Sequence, residues 1–189
     1  MGMLGRVELE RMGFASLGAG VQLSDRAAVY GAARISLGDQ VRIDDFCVLS
    51  AGAGGIEIGR NVHIAVYSSL IGAARITLDD FAGLSSRVSI YSSNDDYSGQ
   101  MLTNPTIPAE FSGVTHADVV LGRHVIVGAG SVVLPGVTLG EGVVIGALSL
   151  VTRSCEPFTV HSGVPARRIA QRSRELLQVE QRFLASRHA

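Results

Sequence analysis

Aliphatic residues recur every six positions along most of this chain, most regularly between Leu121 and Val151. Small or β-branched residues stand two positions before them, and glycine often follows directly. A period of six fits neither an α-helix, with 3.6 residues per turn, nor a single strand, with a period of two. It fits a chain that turns a corner after every short strand, so the pattern predicts a parallel β-helix built from hexapeptides. The aliphatic positions are Leu121, Val127, Val133, Leu139, Ile145 and Val151.

The same period extends back to Leu17, and three hexapeptides make one triangular coil. Between the early coils the step lengthens from six residues to eight or nine, always at the same corner. The largest insertion, residues 91–118, leaves from that corner and carries two prolines. A long loop on a rigid scaffold is more often functional than accidental, so we expect it to line the active site rather than only to pack on a neighbouring subunit. The six predicted coils begin at Leu17, Leu37, Ile58, Leu78, Leu121 and Leu139.

The two ends of the chain depart from the sixfold period. Residues 1–16 are polar with scattered apolar positions, which predicts a cap over the open end of the core. From Ala166 onward apolar residues recur at helical spacing, so we predict a C-terminal helix over 166–189 that covers the last coil. The prediction is therefore an all-β chain: a β-helix domain over 17–165 with one long loop, followed by a helix.

Composition agrees with one β-rich, turn-rich domain, since 47% of the 189 residues are hydrophobic and 23 are glycine. The net charge of −1 gives no electrostatic reason to expect nucleic acid as a partner. No stretch approaches the roughly 18 to 20 apolar residues of a membrane span, and the N-terminus lacks an apolar run of signal-peptide length. We therefore expect a cytoplasmic protein.

Both cysteines, Cys47 and Cys155, fall at inward-facing positions of the sixfold frame or their equivalent. They are expected to be small buried residues of the wall rather than a disulfide or a metal pair. No pair of histidines has metal-ligand spacing, so no metal site is predicted.

The run LGRHVIVGAGSVVLPGVTLGEGVVIGALSLVTRS, followed by SGVPARRI, resembles the hexapeptide-repeat acyltransferases. Within them the chain is similar to the galactoside and maltose acetyltransferases, and more closely to the sugar acetyltransferases of bacterial surface-polysaccharide synthesis with a DDYSG loop. The resemblance covers about residues 17–170. It implies a left-handed parallel β-helix, a homotrimer with active sites between adjacent prisms, and acetyl-CoA as cosubstrate along the later coils. The acceptor is a sugar, possibly linked to a nucleotide.

The resemblance also implies where the coenzyme lies. Ala129 and Ala147 match small positions whose backbone meets the pantetheine arm, although small residues also suit tight turns. Thr152, Arg153 and Arg167 match polar and basic positions near the nucleotide end. Together with Arg168, the arginines offer planar, charged donors that suit phosphate oxygens.

The long loop departs from the family at its catalytic position. The sugar acetyltransferases carry a loop histidine that removes a proton from the acceptor hydroxyl, and counting from the preceding coil places Asp95 at that position. Either Asp95 or the neighbouring Asp96 acts as base with its pKa raised by burial, or the acceptor is an amine that needs no early deprotonation. A third alternative is a histidine from elsewhere in the trimer, at His63, His116 or His124. We favour a site assisted by Asp95 and Asp96.

The histidines have different expected surroundings. His63 is expected to face outward at the surface or an interface. His124 should face a neighbouring prism and the coenzyme groove, and it is the first choice among the histidines for a catalytic role.

Two functional classes follow from these observations. The first is an acetyl-CoA-dependent acetyltransferase acting on a sugar hydroxyl or amine. The second is a noncatalytic β-helix scaffold or assembly subunit that has lost its base. Retention of Thr152, Arg153 and the GVPAR sequence favours the enzyme, because a scaffold has no need of them.

Overall fold

Each hexapeptide of the sequence forms one short strand, and the strands stack into three parallel sheets that enclose a narrow core. The computed structural model describes residues 2–186. Sheet 1 contains β1 (Ser16–Leu17), β4 (Ile35–Leu37), β7 (Ile56–Ile58), β10 (Ile76–Leu78), β15 (Val119–Leu121) and β18 (Thr138–Leu139).

Sheets 2 and 3 form the other two sides of the prism. Sheet 2 contains β2 (Gln22–Leu23), β5 (Arg42–Ile43), β8 (His63–Ile64), β11 (Gly83–Leu84), β16 (Ile126–Val127), β19 (Val144–Ile145), β21 (Thr159–Gly163) and β22 (Ala166–Gln171). Sheet 3 contains β3 (Ala28–Tyr30), β6 (Val48–Ala51), β9 (Ser69–Gly72), β12 (Ser89–Tyr91), β17 (Val132–Val133) and β20 (Leu150–Val151). We call the turns from sheet 1 to 2, from 2 to 3 and from 3 to 1 the first, second and third corners.

The strand register confirms the sixfold frame. Leu17 pairs with Leu37, which pairs with Ile58, and the series continues through the aliphatic positions of the later coils. Alternate side chains of a strand point to opposite faces, so one aliphatic column fills each side of the interior. Serines at the small positions of this frame are buried too. Ser131 donates a hydrogen bond to the Gly146 carbonyl oxygen at 3.0 Å and accepts one from the Ser149 amide at 3.1 Å.

The insertions all leave the third corner, as predicted. The first contains a one-turn 3-10 helix over Ala32–Arg34. The long loop is closed at its base by an antiparallel ladder between β13 (Ser93–Asn94) and β14 (Thr115–His116), and it carries a second 3-10 turn at Ala109–Phe111.

At the N-terminal end, helix α1 (Arg6–Arg11) packs Leu9 into the core at only 2% exposure. At the other end, the backbone of Cys155 forms an isolated β-bridge with Leu139, and β21 pairs with β19. A partial seventh coil therefore follows the six complete ones. Both Cys47 and Cys155 are buried and form no disulfide, as predicted. Neither of the α-helices described in residues 2–186 has the length and apolar composition that a membrane span requires.

The C-terminal segment differs from the prediction of a helix over 166–189. Ala166–Gln171 is a strand, β22, which pairs antiparallel with β21. The helix α2 begins at Leu176 and is described to Ser186, while residues 187–189 lie outside the described part. The open edge of β21 explains the strand, because its unpaired backbone groups are satisfied by a returning segment.

Candidate active site

A groove of about 320 Å³ crosses the outer face of sheet 2 beside the second corner. The register places His63, Gly83 and Ile126 side by side on β8, β11 and β16. They face outward, because the next residue of each strand is buried. A Cβ atom placed on Gly83 would meet no atom within 4 Å, so this glycine leaves a notch between the two flanking side chains. The hydroxyl-bearing residues Ser85 and Ser86 also line the groove.

His63 is half exposed, and its imidazole contacts a carboxylate. Its Nε2 lies 2.8 Å from Oδ2 of Asp44, whose Oδ1 accepts a hydrogen bond from Nε of Arg42 at 2.7 Å. Burial alone would raise the pKa of Asp44, but hydrogen bonds from Arg42 and His63 outweigh it and lower that pKa below its usual value. The carboxylate is therefore ionised at neutral pH and holds the imidazole in place. The outward position of His63 is as predicted.

The two loop aspartates have different surroundings. Asp96 accepts hydrogen bonds from the amides of Ser98, Gln100 and Met101 at 2.9 to 3.1 Å. Hydrogen bonds from Ser98, followed by those from Met101 and Gln100, lower the pKa of Asp96. This is the opposite of the raised pKa considered for a base at this position, so Asp96 organises the turn of the loop.

Asp95 is exposed, and its carboxylate has no hydrogen bond or ion pair within residues 2–186. The strand pair at the base of the loop places it beyond the third corner. His116, in the same ladder, has its Nδ1 2.8 Å from the Ser93 hydroxyl. Of the predicted loop residues, Asp95 is the one with a carboxylate available to a ligand.

His124 was expected to face a neighbouring prism and the coenzyme groove, but helix α2 of the same chain covers it. It lies at the first corner under helix α2, where its Nε2 is 2.9 Å from a carboxylate oxygen of Glu180. Its ring stacks on Phe81, with the ring centroids 5.0 Å apart, and its side chain is only 12% exposed. Arg123 binds the other oxygen of Glu180. His124 therefore fastens the C-terminal helix, and a single chain does not bring it together with Asp95.

Three of the predicted coenzyme residues do come together. Arg153, Arg167 and Arg168 line a pocket of about 190 Å³ beside the last coil. His161 shares the pocket, and its pKa is lowered by burial and then by the neighbouring Arg168. The pocket is thus rich in cationic donors of the kind that bind phosphate groups. Thr152 lies next to Arg153 in the chain and is exposed.

Ala129 and Ala147 lie elsewhere, at the second corner of successive coils. The carbonyl of Ala129 accepts a hydrogen bond from the amide of Leu148 at 2.8 Å, and both alanines are exposed. Their small side chains leave the backbone of this corner accessible.

Comparison with known proteins decides the family. Residues 118–153 match the family model described as bacterial transferase hexapeptide (six repeats). The dTDP-4-amino-4,6-dideoxy-D-glucose acyltransferase of Escherichia coli is 53% identical over 186 residues, covering 98% of this chain and 97% of that protein. The chain belongs to the hexapeptide-repeat sugar acyltransferases.

Two further similarities bear on this acyltransferase. AntD, an N-acyltransferase from Bacillus cereus solved with dTDP and 3-hydroxybutyryl-CoA, is 41% identical, covers 99% of this chain and 98% of its own, and has a TM-score of 0.95. The putative lipopolysaccharide biosynthesis O-acetyl transferase WbbJ of Escherichia coli (strain K12) is 31% identical over 71% of this chain and 67% of its own length. Other AntD structures are of variants at an aspartate and at a serine ten positions before it, and two of the serine variants contain dTDP-4-amino-4,6-dideoxyglucose and coenzyme A.

These comparisons confirm the predicted family, the enzymatic class and the use of an acyl-CoA donor for transfer to a sugar. The noncatalytic scaffold is disfavoured accordingly.

The groove on sheet 2 was not among the features predicted from the sequence. A signal was present in Gly83, because glycine at an outward-facing strand position often marks a close approach of a ligand to the backbone. The contact between His63 and Asp44 joins different coils, so it required the register as well as the sixfold period.

Proposed function

We propose that this enzyme transfers an acyl group from acyl-CoA to the 4-amino group of a dTDP-linked 4-amino-4,6-dideoxyglucose. The observation that carries the proposal is Asp95, an exposed carboxylate without a partner in the described chain, at the loop position where the family's sugar O-acetyltransferases have a histidine. The acceptor named for the Escherichia coli relative and the sugar nucleotide bound to AntD support the same acceptor.

The chemistry of the two acceptors explains why the histidine is dispensable at that position. A sugar hydroxyl is a poor nucleophile and needs a base as it attacks the thioester. An amine arrives largely as an ammonium ion near pH 7. Once it is neutral, it attacks the thioester without losing a further proton first. A carboxylate such as Asp95 attracts and orients that cation.

The spacing of serine and aspartate in this chain supports Asp95 further. The pairs Ser85 with Asp95 and Ser86 with Asp96 both have the ten-residue separation of the altered AntD positions. Asp96 is engaged by three loop amides, whereas Asp95 is available. We therefore assign Ser85 and Asp95 to the acceptor site.

A homotrimer accounts for how these two residues meet. Ser85 precedes β12 and Asp95 follows it, so the two residues are separated by this strand, whose three residues alone rise roughly 10 Å. We propose that the groove of one subunit and the loop of its neighbour form each site. The enzyme acts in the cytoplasm, on a precursor of a bacterial surface polysaccharide, as the similarity to WbbJ supports.

The test of this function is a free-thiol release assay with acetyl-CoA and 3-hydroxybutyryl-CoA as donors. We expect the dTDP-linked amino sugar to be acylated at a kcat/KM at least about 10²-fold above that of the matching sugar with a hydroxyl at the same carbon, because the site binds a cation. Mass spectrometry of the product identifies the acylated nitrogen. Equal rates on the hydroxyl sugar, or transfer to simple galactosides alone, would contradict the proposal.

The arginine pocket yields a prediction about the coenzyme. Replacing both Arg153 and Arg168 with glutamine is expected to weaken coenzyme A binding by about 10-fold or more, because two charge-assisted hydrogen bonds to phosphate oxygens are lost. Isothermal titration calorimetry with coenzyme A and with its 3′-dephospho form measures the effect. An equal loss for both forms assigns the pocket to the pyrophosphate, a loss confined to coenzyme A assigns it to the 3′-phosphate, and no loss for either excludes the pocket.

A further inference from the structure

We propose that His63, held by Asp44, accepts the proton that the acceptor ammonium releases when its nitrogen lies in the notch at Gly83. This inference depends on the proposed amine acceptor, and it selects His63 from the three histidines that the sequence left open as alternative bases. It concerns a residue of the third coil, outside the long loop.

The shape of the groove is the first step. Ile126 and His63 flank the notch, and Gly83 between them has no side chain. The empty space is wide enough for a Cβ atom to be added at Gly83 without contact, so a small group of the acceptor reaches the backbone there. Ser85 follows directly after this strand and lines the same groove as His63, so the groove contains a hydroxyl as well as an imidazole.

The electrostatics of the imidazole are the second step. Asp44 is an acceptor only, so a neutral His63 carries its proton on Nε2 and leaves a lone pair on Nδ1. No residue within 2–186 bonds to Nδ1. Among residues 2–186, Asp44 contacts the His63 ring and Arg42 lies beside His63 on the neighbouring strand, whereas Gly83 and Ile126 on the other side carry no charge. The Asp44 carboxylate, 2.8 Å from Nε2, fixes the orientation of the ring.

The proton balance is the third step. The acceptor enters as an ammonium, and Nδ1 of His63 takes one proton to give a neutral amine and an imidazolium. The amine nitrogen then forms a bond to the thioester carbonyl carbon, and the carbon–sulfur bond breaks. The second proton of the nitrogen goes to the departing coenzyme A thiolate, and His63 returns its proton to water. One amide, one thiol and one released proton result.

The decisive experiment compares His63→Gln with the wild-type enzyme, using the dTDP-linked amino sugar and acetyl-CoA. We expect kcat to fall by about 10²-fold at pH 7, within the usual contribution of a general base. The KM for acetyl-CoA should change by less than about twofold, because the donor pocket is untouched. Without the base the substrate must arrive already neutral, so the rate of the variant should rise about tenfold per pH unit below the pKa of the amine.

Chemical rescue separates catalysis from structure. In His63→Ala, added imidazole is expected to restore part of the lost activity in proportion to its free-base concentration. Full activity of His63→Gln, or a loss with an unchanged pH profile and no rescue, overturns the inference while leaving the amine acceptor intact. If the wild-type enzyme acylates no amine, the proposed function itself is wrong.

Gly83→Val tests the notch independently of His63. We expect acceptor turnover to fall by at least about 10²-fold, because the added side chain occupies the space for the nitrogen. The temperature of unfolding and the affinity for coenzyme A should be retained, since a side chain at this position points away from the core. Wild-type turnover by a folded Gly83→Val enzyme would show that the acceptor does not enter the notch.

Discussion

Replacing Asp95 with asparagine is expected to lower kcat/KM for the dTDP-linked amino sugar by about 10³-fold, which corresponds to roughly 4 kcal/mol of transition-state stabilisation. The amide keeps the shape of the side chain but removes the charge that attracts the acceptor ammonium. Asp95 is exposed and forms no bond in the described chain, so the substitution leaves the fold without a lost contact. Steady-state kinetics with thiol detection and a calorimetric titration of coenzyme A measure the two effects separately.

Matched variants in the same loop sharpen this result. Glu110→Gln makes the same chemical change in an exposed carboxylate of the loop and should leave kcat/KM within about twofold. Asp96→Asn replaces a carboxylate that accepts hydrogen bonds from three loop amides with a weaker acceptor. It should therefore loosen the loop and raise the KM for the amino sugar. Equal losses in Asp95→Asn and Glu110→Gln would mean that the net charge of the loop acts, and not Asp95.

Gly38→Ala is expected to lower the free energy of unfolding by about 3 kcal/mol. Gly38 follows Leu37 at the first corner, where a Cβ atom would lie 2.7 Å from both the carbonyl carbon and the oxygen of Gly59 on the next coil. Backbone cannot move aside as a flexible side chain does, so the coils must separate locally. Thermal and urea unfolding, followed by circular dichroism, give the change.

Gly83→Ala is the matched control, because it adds the same methyl group to another glycine of the solenoid. No atom lies within 4 Å of its added Cβ, and stability should change by less than about 0.5 kcal/mol. If the two substitutions have equal effects on the unfolding midpoint, the spacing between coils does not depend on the missing side chain at Gly38.

The sixfold frame could be predicted because the interior is narrow and each coil repeats the same constraint. The aliphatic column from Leu17 onward must align for the sheets to form, so register and periodicity carry the same information. The third corner could be found in the same way, since every insertion has to leave the frame and return to it in phase. The grouping of Arg153, Arg167 and Arg168 could be predicted from the resemblance to the hexapeptide-repeat acyltransferases.

The remaining features depend on contacts between distant segments. His124 was expected to face a groove, but Glu180 on α2, more than fifty residues later, covers it. Ala166–Gln171 has apolar residues that also fit a helical face, and only the free edge of β21 selects the strand. The contact of His63 with Asp44 joins two coils on the outer face of sheet 2. The sixfold pattern of buried residues does not predict which outward side chains meet there.

The closed base of the long loop has a consequence for the diversity of such enzymes. The amide of Ala117 donates a hydrogen bond to the carbonyl of Ser92 at 3.1 Å, so the loop departs and returns at adjacent points of one coil. Residues 94–116 therefore form an exchangeable segment. A loop of another length and sequence can be grafted between Ser93 and Ala117, which keeps the Ser93 hydroxyl that accepts a hydrogen bond from the Ala73 amide of the preceding coil at 2.8 Å. Acceptor range can then evolve, or be engineered, by recombination at these two junctions while the donor side of the enzyme stays unchanged.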